Sequence, residues 1–115
     1  MGRIKQITDS VNQKGRKLLI PYLVAGDPNK ETTIELMHAL VSNGADIIEL
    51  GIPFSDPSSD GEVIQSGIER SLRKGTSLND TLDIVSKFSH NIKSIIKASA
   101  FSQRPLYAVL NNFTI

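Results

Sequence analysis

At 115 residues with 39% hydrophobic content, the chain suits one small domain or a piece of a larger one. A net charge of +1 gives no electrostatic ground for binding nucleic acid or an anionic membrane, and the short cluster Lys14-Gly15-Arg16-Lys17 does not alter that. The absence of cysteine excludes disulfides and thiolate metal sites, and no apolar run has the form of a signal peptide or the length of a membrane span, so a cytoplasmic protein is expected.

Ile4, Ile7 and Val11 stand at helical spacing and predict a short amphipathic helix from about Gly2 to Asn12, ended near Gly15. Leu18–Ala25 is apolar almost throughout, as expected of a parallel strand buried on both faces, although Pro21 argues against a fully hydrogen-bonded central position. Gly26-Asp27-Pro28 makes a turn, with Asp27 as N-cap and Pro28 in the first turn of a helix. Ile34, Met37, Leu40 and Val41 form one face of that helix, and Asn43-Gly44 ends it. His38 has no partner motif and reads as a helix-surface residue.

Asp46–Gly51 is the next strand, a β-branched apolar run stopped by Gly51 and Pro53. Val63, Ile64, Ile68 and Leu72 line a further helix closed by Lys74-Gly75, and Ser77 with Asp80 opens another whose face is Leu78, Leu82, Val85 and Phe88. Strands alternating with helices imply right-handed βαβ units and a parallel sheet. In the tail, Ile92–Phe101 is helix-like, and Pro105–Leu110 can be read as a third strand.

The chemistry concentrates in Ala45–Gly61. Glu49 interrupts a buried strand, where a carboxylate loses hydration and must be paired, protonated or used. Asp56-Pro57 and Asp60-Gly61 follow in a Pro-stiffened loop. A desolvated Glu49 and an Asp60 in a polar turn would have pKa values pushed apart, which suits acid–base catalysis. The same pattern also fits an exposed edge carboxylate and ordinary turn acids.

The run Glu49-Leu-Gly-Ile-Pro-Phe-Ser-Asp-Pro-x-x-Asp60-Gly61 resembles the signature segment of the tryptophan synthase alpha chain family. Ile20–Pro28 is similar to that family's first barrel strand and turn, Asn43–Glu49 to its entry into the second strand, and Ile64-Gln65 and Gly75-Thr76 also match. The resemblance covers residues 18–88, with 89–115 a divergent tail. It implies an α/β fold, part of a (β/α)8 TIM barrel with the first two to three βα units behind an N-terminal helix, all in a single incomplete domain over 1–115.

The resemblance further implies a lyase that cleaves indole-3-glycerol phosphate to indole and glyceraldehyde 3-phosphate in tryptophan biosynthesis. Glu49 would move protons at the indole carbon and the side-chain hydroxyl, and Asp60 would accept the indole N–H and stabilise the charge developing on the ring. Tyr22 falls where the family lines the indole pocket with an aromatic, and it equally suits core packing. Pro53 and Asp56 match positions that touch the beta chain of an alpha2-beta2 assembly. The chain itself would use no cofactor or metal, since pyridoxal phosphate belongs to the beta chain.

Ser58, Ser59 and Glu62 depart from the family pattern, and Glu62 would disfavour ionisation of Asp60. The late-barrel loops that form the family's phosphate site have no counterpart in this sequence. The 115 residues are therefore expected to be inactive alone. The alternative function is a non-catalytic remnant or frameshifted piece, at most a beta-chain-binding or misfolded fragment.

Overall fold

The computed structural model describes residues 3–53, 55, 60–89 and 95–99. The elements run α1 (Arg3–Gln13), β1 (Tyr22–Val24), α2 (Lys30–Ser42), β2 (Ile47–Gly51), α3 (Glu62–Arg73), α4 (Leu78–Ser89) and β3 (Ile95–Ser99). The three strands form one parallel sheet in the order β1-β2-β3, with Tyr22 opposite Glu49, Val24 opposite Gly51, and Glu49 opposite Lys97. The parallel sheet is the one the alternating pattern implies, and it fits the opening βα portion of the (β/α)8 barrel that the family resemblance implies.

Successive side chains of a strand point to opposite faces. Leu23, Ala25, Ile48 and Leu50 face the helices and share a core with Met37, Ile84, Val85 and Phe88, with Ile34, Leu40 and Val41 at its margin. Tyr22, Val24, Glu49 and Gly51 belong to the other face. Helices α2 and α4 are tied together at their N-terminal ends by Lys30, which reaches Asp80 at 3.0 Å and Asp83 at 3.3 Å. His38 is exposed as expected, its ring centroid 4.7 Å from that of Phe88.

Strand β1 is shorter than the apolar run. Pro21 has no N–H to give the ladder, so the paired strand begins at Tyr22. The Leu19 and Pro21 carbonyls still accept from Asp46 (3.0 Å) and Glu49 (2.8 Å), which keeps the preceding residues alongside β2. At the opposite end from the acidic loop, Arg16 holds Asp46 through two bonds of 2.8 and 3.1 Å, and Asp46 also accepts from the Leu19 N–H at 2.9 Å.

Four local expectations need correction. Asp27 is not the N-cap of α2; Asn29 is, accepting from the Thr32 N–H at 2.8 Å, and Asp27 pairs with Arg70 instead. Helix α3 buries Gly67, Ile68 and Ser71, whereas Val63 is 84% exposed, because small residues allow a closer approach to the end of β1 than Val63 or Leu72 would. Helix α4 buries Thr81, Ile84, Val85 and Phe88, while Leu78 is half exposed. Thr81 can be buried because its hydroxyl bonds the Ser77 carbonyl at 3.1 Å.

The fourth correction concerns Ile92–Phe101. Within it, Ile95–Ser99 is a strand rather than a helix, paired residue for residue with β2. A short apolar run cannot be assigned by periodicity alone, and here parallel pairing against a preformed neighbour decides. Pro105–Leu110 lies outside the described residues.

Candidate active site

Glu49 and Tyr22 are cross-strand neighbours on the face turned away from α2 and α4, and both are half-buried. The Tyr22 ring leans along the strand direction until it covers Gly51. A Cβ placed on Gly51 would overlap the Tyr22 hydroxyl and lie 2.6 Å from Cζ and 3.2 Å from Cε2. Gly51 is therefore required for close approach rather than for a special backbone conformation.

Asp60 arrives from the far side of the loop, immediately before α3. Gln65 fixes it: its Nε2 donates to the Asp60 carbonyl at 2.6 Å, while its own N–H bonds the Gly61 carbonyl at 2.9 Å. Helix α3 is in turn bolted to the end of β1. The buried Ser71 hydroxyl donates to the Ala25 carbonyl at 2.6 Å, and Arg70 grips Asp27 with two bonds of 2.8 and 3.0 Å. Gly26 (φ +80°) has no room for a side chain against the hydroxyls of Thr76 and Ser71, and its N–H donates to Thr33 Oγ1 at 3.0 Å. The C-terminal end of β1 thus sets the position of a carboxylate more than thirty residues later in the chain.

Electrostatics bring the three residues together. The Tyr22 phenol is pushed up to about 12, first by burial, then by the negative charge of Asp60, and third by that of Glu49. Burial also raises the Asp60 carboxyl above its ordinary value. The expectation set a desolvated Glu49 against an Asp60 in a polar turn, and it is Asp60 that burial raises. Glu62, exposed in the first turn of α3, is not among the causes of that shift. Tyr22 Oη and Asp60 Oδ2 are both buried and have no hydrogen-bond partner among the described residues. Such atoms cost free energy unless something fills the site and pairs with them.

Of the residues singled out from the sequence, Tyr22, Glu49 and Asp60 thus form one group. Pro53 is buried just beyond β2. Asp56 lies outside the described residues. Among the described residues no cluster of three or more His, Asp or Glu side chains could hold a metal, and no helix is long and apolar enough to cross a membrane. Sequence reasoning missed Gly51, Gln65, Arg70 and Ser71 as positioning residues. Gly51 carried a signal, a glycine inside a strand pattern; a lone Gln and Ser on a helix carry none.

The sequence model of the tryptophan synthase alpha chain family matches residues 8–98, somewhat beyond residues 18–88 on both sides. The tryptophan synthase alpha chain of Marinobacter nauticus is 56% identical over 88 residues, which is 76% of this chain and 33% of that protein. That of Neisseria meningitidis has the same identity over the same length, again 76% of this chain and 33% of the relative. Among solved structures, tryptophan synthase subunit alpha from Legionella pneumophila superposes with a TM-score of 0.85 at 40% identity, covering 88% of this chain and 39% of that one. The aminoacrylate-bound form of tryptophan synthase from M. tuberculosis gives 0.77 at 36% identity, covering 85% of this chain and 40% of that one. The chain spans about a third of the length of the curated relatives it matches.

Proposed function

This chain belongs to the tryptophan synthase alpha chain family, and we propose that it carries the acid–base part of a cytoplasmic lyase that cleaves indole-3-glycerol phosphate to indole and glyceraldehyde 3-phosphate. The observation that carries the reading is that the charges of Asp60 and Glu49 both act on Tyr22, the cross-strand neighbour of Glu49, while Asp60 Oδ2 is buried with no partner among the described residues.

Cleaving the bond between the indole ring and its side chain requires a proton delivered to the ring carbon and a proton taken from the adjacent side-chain hydroxyl. Glu49 serves both steps, protonated for the first and ionised for the second. Protonating the ring carbon puts positive charge on the ring nitrogen. An Asp60 carboxylate that has lost its water interacts with that N–H more strongly as the charge grows. The interaction is therefore greater in the transition state than in the bound substrate, which is the condition for accelerating the reaction. Tyr22 lines the ring pocket. No cofactor enters these steps; pyridoxal phosphate is assigned to a beta chain, which would meet this chain around Pro53 and Asp56.

A second reading, that the 115 residues alone are not catalytic, is favoured by one feature. Strand β1 ends the described sheet, leaving Leu19 51% and Ile20 46% exposed beside it, where a closed barrel would continue. One assay separates the two. Residues 1–99 are grafted onto the remainder of the Legionella pneumophila alpha chain, and indole release is measured for the graft, its Glu49→Gln variant and the 115-residue polypeptide. The reading expects a working graft that loses about 10²–10⁴ of its rate with Glu49→Gln, and no release from the polypeptide alone. A graft that releases no indole would overturn the lyase assignment, and one whose activity ignores Glu49→Gln would overturn the role given to Glu49.

A further inference from the structure

The aromatic at position 22 is a tyrosine, and its hydroxyl has no role in the chemistry above. The hydroxyl is buried, has no partner among the described residues, is seated in the slot that Gly51 leaves open, and lies within the field of the Asp60 and Glu49 carboxylates. Burying a phenol oxygen without a partner is costly, and an apolar ring would fill the same space at no such cost. Burial, and after it the nearby negative charges, keep the phenol protonated, so it can give a hydrogen bond. The other unpaired atom of the site, Asp60 Oδ2, can only accept when ionised. The site thus offers one donor and one acceptor, and an indole ring carries a donor but no acceptor of matching strength.

We propose that the Tyr22 hydroxyl is a specificity-determining group that donates a hydrogen bond to a side-chain oxygen of the ligand, while Asp60 takes the ring N–H. The proposal rests on the lyase reading and adds to it a discrimination: the site distinguishes an indole bearing a hydroxylated side chain from indole itself, its own product. Tyr22→Phe removes the donor and keeps the ring, so the loss falls on the oxygen-bearing ligand. Asp60→Asn acts on the N–H that both ligands share.

The test is an NMR titration of the 115-residue chain and the two variants with indole and with indole-3-glycerol. The expected result is that Tyr22→Phe weakens indole-3-glycerol about fivefold more than indole, whereas Asp60→Asn weakens both alike. A second readout needs no variant at position 22. In a Tyr107→Phe background labelled with [ζ-13C]tyrosine, the Tyr22 Cζ signal should move on adding indole-3-glycerol and stay in place on adding indole. If Tyr22→Phe weakens both ligands equally and the Cζ signal ignores the side chain, the donor assignment falls while the Asp60 reading stands. If the unmodified chain binds neither ligand, the donor assignment falls, while the lyase reading is decided by indole release from the graft.

Discussion

Gly51→Ala tests whether the contact between Tyr22 and β2 organises the site. Gly51 is extended within β2 and its φ is not positive, so alanine meets no backbone penalty there and gains a little from a less flexible unfolded chain, about 0.4–1 kcal/mol. Against that stands the new methyl, 2.6 Å from Tyr22 Cζ and 3.2 Å from Cε2, where ordinary carbon contacts begin near 3.5 Å. The ring must withdraw by roughly an ångström, at the usual overpacking cost of about 1–3 kcal/mol. Urea unfolding followed by far-UV circular dichroism should show, for Gly51→Ala in the native background, the loss left after that gain, up to about 2.5 kcal/mol. In a Tyr22→Ala background the obstacle is gone, and Gly51→Ala should be neutral or slightly stabilising, so that the coupling equals the overpacking cost of about 1–3 kcal/mol. Equal losses in both backgrounds would show that Tyr22 does not rest on Gly51.

Three further outcomes are expected. Ser71→Ala deprives the Ala25 carbonyl of its 2.6 Å bond inside a fully buried contact and should lower stability by about 1–3 kcal/mol in thermal melts. Asp80 is held down to about 2, first by the Ser77 N–H and then by Lys30, so its folded pKa lies below its unfolded one. Its stabilisation is present above about pH 4 and lost as the pH falls towards 2, and Asp80→Asn should flatten melting temperature against pH in that window. Asp60 has the opposite sign: its folded pKa is raised, so ionising it works against folding. Asp60→Asn should therefore raise the melting temperature at pH 7 and not at pH 3.

The barrel segment was legible because its signals are local and redundant. The apolar run Ile47–Leu50 ends at Gly51 as a strand should, the left-handed glycines 15, 44 and 75 fall at helix ends, and Ser77 and Asp80 cap each other as their spacing suggests. What escaped depends on contacts between distant residues. Asp27 looks like a helix cap in sequence, yet Arg70, forty-three positions on, claims its carboxylate. Gly67 and Ser71 look indifferent on a helix, and only the nearness of β1 makes their small size matter. For the same reason Glu49 and Asp60 could be named from a motif, while the burial of Asp60 could not: it depends on how α3 is anchored through Ser71 and Gln65.

The most direct measurement is the ionisation of Tyr22 in a chain carrying Tyr107→Phe and [ζ-13C]tyrosine, followed by the Cζ signal up to pH 11 while circular dichroism reports the fold. With a pKa of about 12 the phenol should be only about 10% ionised at pH 11, against about 90% for an ordinary one. Asp60→Asn and Glu49→Gln should each increase the ionised fraction, Asp60→Asn by more, since its charge has the larger effect. A Tyr22 that titrates near 10 and ignores both substitutions would contradict the claim that these three residues share one buried site.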